Sequence, residues 1–154
     1  MNIIQTIGNL HFISGDLLNS TADYIIHQAN CQGVMGAGLA KQLRTVYPAM
    51  YQSYRKHCST YKPSELLGKA FISGRVITVF GQLTYGYDKS VVYTDYNALK
   101  TAFRKIHNRL PVNSSIAFPF GFGCGLANGS WAVVRELIHS CFPNRRIYII
   151  CKNK

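Results

Sequence analysis

Apolar residues recur along this chain in two alternating rhythms. Short apolar runs of strand length alternate with longer segments whose apolar positions return at helical spacing. "IIQTIGNLHFISGDLL" holds two such runs about Gly8-Asn9 and predicts a hairpin. "DYIIHQAN" predicts a buried strand ending near Asn30, with a helix following from about Ala37. Pro48 interrupts that helix, and "AMYQSYRKHC" resumes it as a second segment. "AFIS" and "RVITVFGQ" predict two strands about a "GR" turn. In "NALKTAFRKIHNRL" the apolar stripe is Leu99, Phe103, Ile106 and Leu110, with Lys100, Arg104, Lys105 and Arg109 off it, as an amphipathic helix requires. "SSIAFPF" predicts a further strand. "SWAVVRELIHSC" predicts a helix with Ser130 as its N-cap and Trp131, Val134 and Ile138 facing inward. "RRIYIIC" closes the chain as a strand. Strands alternating with helices imply an α/β fold with a central mixed, mostly parallel sheet covered on both faces.

Length and composition narrow this further. The 154 residues suit one domain, 1–154, and the 47% hydrophobic content suits an ordinary core. No apolar run of roughly 18 residues occurs, so no membrane partner is expected. The opening MNIIQTIGNL lacks the basic-then-apolar layout of a signal peptide. Cys31, Cys58, Cys124, Cys141 and Cys151 are widely spaced and odd in number, which fits free thiols and a cytoplasmic location. No interface signature stands out, and a monomer is expected.

Charge changes the picture more. Seventeen Lys and Arg oppose six Asp and Glu, a formal net charge of +11. Such a field attracts nucleotides, nucleic acid or phosphorylated metabolites, although the basic residues are scattered and would also serve as a solvated surface. Candidate acid–base carboxylates are few: Asp16, Asp23, Glu65, Asp88, Asp95 and Glu136.

Two glycine-rich segments follow predicted strands. One is "HQANCQGVMGAGLAKQL"; the other, "GFGCGLANG", runs from Gly121 to Gly129. In α/β sheets ligands bind beyond the carboxyl ends of strands. Glycine lets backbone N–H groups approach a ligand, and a following helix N-terminus adds positive potential. Two loops facing each other could clasp a pyrophosphate. The established phosphate motifs do not fit. A Walker loop needs Lys where Leu39 stands, and the dinucleotide fingerprint needs Gly where Lys41 stands. A cysteine-phosphatase loop needs Arg where Ala37 or Ser130 stands. No metal-ligand cluster emerges, since His27 and Cys31 lack a second pair, and no cofactor is expected.

At this point the chain resembles the macro domain family, which binds ADP-ribose in a three-layer α/β/α fold. "SGDLLNSTADYIIHQANCQGVMGAGLAKQLRTVYPAMYQSY" and "FPFGFGCGLANGSW" carry the likeness. The nearest branch contains yeast-type ADP-ribose 1''-phosphate phosphatases, terminal ADP-ribose hydrolases acting on glutamate esters, and bacterial enzymes that remove ADP-ribose from DNA. The resemblance implies that Asp16, with the Leu17 backbone nearby, meets the adenine. It implies that Asn30 holds the distal ribose. Gly36, Ala37, Gly38 and Leu39 would line one side of the pyrophosphate. Gly121, Phe122, Gly123, Cys124, Gly125 and Leu126 would line the other, with Phe122 covering the distal ribose. His27 matches a histidine of the phosphatase motif, and an imidazole near neutral pKa suits proton transfer. His27 and Asn30 are therefore the catalytic candidates. The aspartate of the glutamate-ester hydrolases is replaced by Ala127. Their lysine falls near Gln82, with Lys89 the nearest lysine downstream.

The resulting expectation is hydrolysis of an ADP-ribose derivative, foremost ADP-ribose 1''-phosphate. The alternatives are a non-catalytic ADP-ribose-binding module, or removal of ADP-ribose from protein or nucleic acid.

Overall fold

The computed structural model describes residues 2–152. Seven strands form one sheet: β1 (Asn2–Ile7), β2 (Leu10–Ser14), β3 (Tyr24–Asn30), β4 (Ala70–Ser73), β5 (Val76–Gln82), β6 (Ile116–Pro119) and β7 (Ile147–Cys151). The helices are α1 (Gly38–Val46), α2 (Pro48–Thr60), the single turn α3 (Pro63–Leu66), α4 (Tyr96–Arg109) and α5 (Trp131–Cys141). Strand order is β1-β2-β7-β6-β3-β5-β4. The inner pairs β2–β7, β7–β6, β6–β3 and β3–β5 are parallel, and only the outer pairs β1–β2 and β5–β4 are antiparallel.

Side-chain alternation along the buried strands builds a core on each face of the sheet. Ile26 of β3 and Ile77 and Val79 of β5 pack with Leu99, Phe103, Val134 and Ile138 of α4 and α5. Ile25, Ala29, Val76 and Phe80 point the other way, onto Leu43, Met50, Tyr54 and Leu66 of α1 to α3. The result is the three-layer arrangement with a mixed, mostly parallel sheet. Among the described residues no helix is long and apolar enough to cross a membrane.

Two local expectations need correction. Ser130 stands at the N-cap position of α5 but makes no side-chain cap, and its own N–H donates to the Tyr96 hydroxyl at 2.8 Å. Asp95, in contrast, caps α4 by accepting from the Ala98 N–H at 3.0 Å. The turn α3 went unread, although Pro63 at its start and Glu65 reaching back to the Lys62 N–H are ordinary initiation signals.

Arg145 is the unusual core residue, 2% exposed and, among the described residues, without an ion pair to a carboxylate. Its guanidinium donates to the carbonyls of His107 (3.0 Å), Pro111 (2.9 Å) and Ser114 (2.8 Å), and its Nε to His107 Nδ1 (3.1 Å). These carbonyls lie at and just beyond the C-terminal end of α4, where the helix dipole favours a cation. Replacing Arg145 by Met should leave several buried carbonyls unpaired. The expected loss is about 3 kcal/mol, seen as a lower urea midpoint at unchanged slope.

Candidate functional site

β3 and β6 lie side by side and parallel, yet the chain leaves them in opposite directions. After β3 it crosses through α1 to α3 over one face; after β6 it crosses through α5 over the other. A crevice must open between two such departures. It holds about 490 Å³ and is bordered by the ends of β3, β5 and β6 and the loops that follow them. Both glycine-rich segments border this one cleft, so the structure brings them together across it.

The first wall is residues 34–40, including Gly36, Ala37, Gly38 and Leu39. It ends on the N-terminus of α1, where Ala37 provides no side-chain cap. The N–H groups of Gly36 to Ala40 make no hydrogen bond within the described residues. Asn30 borders the cleft at the root of this wall and is 8% exposed.

The second wall contains Gly121, Gly123, Gly125, Leu126 and Ala127. The N–H groups of Gly123, Gly125 and Leu126 are likewise unpaired within the described residues. Among the described residues, no Lys, Arg, Asp or Glu lines the cleft. Its attraction for an anion therefore comes from main-chain dipoles.

Phe122 borders the cleft, but not as an exposed flap over it. Its ring is 2% exposed and packs among Phe103 and Phe118, with centroids 5.7 and 5.5 Å away, because the apolar core takes the ring. The exposed aromatic of this loop is Phe120, 4.8 Å from Trp131. The Cys124 thiol is also turned back, donating to the Phe122 carbonyl, and does not line the cleft. Asp16 and Leu17 do not line it either. Asp16 accepts from the Leu18 N–H at 3.0 Å and caps a short turn, while Leu17 is buried in the core. Lys89 and Asp95 also lie off the cleft.

Sequence reading passed over a buried relay behind the second wall. Gln28 Nε2 donates to Gln82 Oε1 and to Thr94 Oγ1, both at 2.9 Å. The Thr94 hydroxyl in turn donates to the Gly123 carbonyl at 2.6 Å. Tyr85, Gly86 and Tyr87 form a third wall, also unforeseen. Asn128 ties that loop to the second wall by donating to the carbonyls of Asp88 (3.0 Å) and Val91 (2.8 Å). These contacts join residues far apart in sequence, so no local pattern announced them.

His27 borders the cleft and is 1% exposed. Its Nε2 hydrogen-bonds Thr78 Oγ1 at 2.8 Å, while Nδ1 has no partner. Burial lowers its pKa to about 4, so the ring is neutral at pH 7.

No family model matches the chain. Part of the sequence is 41% identical over 58 residues to an ADP-ribose 1''-phosphate phosphatase of Aspergillus oryzae, covering 37% of this chain and 29% of that protein. It is 39% identical over 59 residues to a DNA ADP-ribosyl glycohydrolase of Mycobacterium tuberculosis, covering 38% of this chain and 16% of that protein. The matched segment thus spans less than a third of either relative. Solved structures extend the likeness to the whole fold. The macrodomain of Mycobacterium tuberculosis DarG superposes with a TM-score of 0.72 at 24% identity, covering 96% of this chain and 99% of that one. Thermosipho africanus DarTG in complex with ADP-ribose gives a TM-score of 0.75 at 20% identity, covering 97% of this chain and 43% of that one.

Two outcomes follow from the site's geometry. An unfolded chain protonates His27 near pH 6.5, whereas the native one resists until about pH 4. Stability should therefore fall between those values, by about 3 kcal/mol, and level off below them. His27→Gln should flatten that part of the curve in urea titrations at stepped pH. Separately, Gly123 has φ +72°, and a Cβ there would meet Gln28 Oε1 at 3.0 Å and Thr94 Oγ1 at 3.1 Å. Gly123→Ala should cost about 2 kcal/mol in the same assay.

Proposed function

Starting from a chain with the macrodomain fold, we propose that it binds ADP-ribose in this cleft and hydrolyses ADP-ribose 1''-phosphate to ADP-ribose and phosphate. The observation that carries the reading is the two rows of N–H groups, unpaired among the described residues, in the segments that line opposite walls of one cleft. A diphosphate offers acceptor oxygens to both rows at once, and the α1 N-terminus favours its charge. The named activity of the Aspergillus oryzae relative and the ligand of the Thermosipho africanus structure lend support.

The reaction consumes one water. Its oxygen bonds to phosphorus, the bond from phosphorus to the ribose oxygen breaks, and the leaving oxygen takes a proton. Positioning and charge stabilisation supply most of the catalysis in such transfers. In this reading Asn30 holds the distal ribose, Asp16 and Leu17 serve the adenine end, and His27 handles the proton. A neutral imidazole with a free Nδ1 can accept it, and a bound phosphate's negative charge raises the imidazole pKa from its low resting value. All five cysteines are free thiols, which supports a reducing, cytoplasmic setting.

Charge favours one second reading, removal of ADP-ribose from nucleic acid. The formal charge is +11, and Lys41, Arg44, Arg55, Lys56, Lys100, Arg104 and Lys105 are all exposed on the helices. A steep fall of oligonucleotide affinity with salt would support it.

Glycines 36 and 125 give the cleanest probe of the cleft. Neither has a positive φ, and a Cβ at either meets nothing within 4 Å. Gly125→Val should keep wild-type stability yet abolish ADP-ribose binding in calorimetry. Wild type should release phosphate from ADP-ribose 1''-phosphate, and His27→Gln should lose release while retaining ADP-ribose binding. Binding without release would leave a binding module; no binding at all would overturn the reading.

A further inference from the structure

The first wall is fastened from behind by two consecutive residues of α2. Tyr54 is fully buried, its ring stacked on Phe80 at 5.8 Å. Its hydroxyl accepts from the Gly33 N–H at 3.1 Å. The hydroxyl proton is shared between the Asn30 main-chain carbonyl and Asn30 Oδ1, each at 2.8 Å. Arg55, the next residue, donates from Nη1 to the Gly33 carbonyl at 2.9 Å. Both ends of Gly33, which has φ +82°, are thereby held.

The consequence falls on Asn30. A carboxamide has two acceptor lone pairs and two N–H donors. Oδ1 spends its pairs on the Tyr54 hydroxyl and on the Gln32 N–H, the latter at 2.9 Å. One Nδ2 hydrogen goes to the Val34 carbonyl at 2.8 Å. One N–H is left for a ligand in the cleft that Asn30 borders.

We propose that Tyr54 is a positioning residue which, by saturating Oδ1, makes Asn30 a pure donor toward the distal sugar; this rests on the reading that the cleft takes ADP-ribose. The sugar hydroxyl there is recognised through an oxygen lone pair, and its own proton must find another acceptor. Without the Tyr54 hydroxyl, Oδ1 keeps only the Gln32 N–H, has a lone pair to offer the sugar, and the amide is less firmly held.

ADP lacks the distal ribose and does not use this contact, so the pair of ligands isolates it. Calorimetry with ADP and ADP-ribose on the intact protein provides the test. Wild type should prefer ADP-ribose. Tyr54→Phe, which keeps the ring and its packing, should weaken ADP-ribose about tenfold, the scale of one hydrogen bond, and weaken ADP by much less. In an Asn30→Ala background the same change should add no further loss. Equal weakening of both ligands, or of neither, overturns the proposal. If Tyr54→Phe does not fold, Asn30→Asp, which keeps Oδ1 as an acceptor but removes the Nδ2 donor, should still weaken ADP-ribose selectively, by about tenfold. An unchanged ratio there would also overturn it. Wild type that binds neither nucleotide defeats the ADP-ribose reading itself, whereas wild-type preference with indifferent variants defeats only the role of Tyr54.

Discussion

The site depends on one constraint: main-chain N–H groups left without partners where two parallel strands end side by side. β3 and β6 send the chain to opposite faces of the sheet, and neither departing segment can bond to the other. The N–H groups of Gly36 to Ala40 and of Gly123, Gly125 and Leu126, unpaired among the described residues, therefore belong to segments that border a shared space. An unpaired backbone donor is costly once water is excluded, so the arrangement favours an anion that can serve several donors together. A charged side chain is unnecessary for this, and none of the described residues that line the cleft carries one. The +11 field acts at longer range, raising the local concentration of anions.

Loops that keep their donors free need support from elsewhere. Buried polar side chains supply it on the far side of each wall. Tyr54 and Arg55 hold the first wall through Gly33; Gln28 and Thr94 hold the second through Gly123. The glycines divide accordingly. Gly36 and Gly125 leave room for a ligand, whereas Gly81 and Gly123 leave room for the Gln28 amide. Gly129 is constrained by the Gly123 carbonyl, 2.5 Å from where its Cβ would be. The same residue type thus serves access at some positions and internal packing at others.

His27 connects the fold with the proposed chemistry. Its place in the middle of a buried strand removes water and holds the imidazole neutral, with Thr78 fixing one nitrogen. The other nitrogen remains unpartnered, a state the core tolerates only at some energetic cost. Ala127 and Gln82, the positions at and near which the sequence resemblance leads one to expect an aspartate and a lysine, both line the cleft. That substitution pattern favours a histidine-centred reading over a carboxylate- or lysine-centred one.

The sequence by itself determined the elements and their two faces. Periodicity located all seven strands and the four longer helices, because alternation and helical spacing are local properties that burial then rewards. It also located both glycine segments, since few residues can leave a backbone bare. Direction and partnership were decided only by the tertiary structure. Phe122 and Phe120 are two positions apart in one loop, yet one enters the core and the other faces solvent. Asp16, expected at the adenine, also caps the turn Leu17–Asn19 by accepting from the Leu18 N–H, a pairing that the spacing does not announce. The links from Gln28 to Thr94 and from Tyr54 to Asn30 join strand, helix and loop across long stretches of chain. Such contacts depend on how layers stack and where each side chain finds a partner, and no local spacing encodes that.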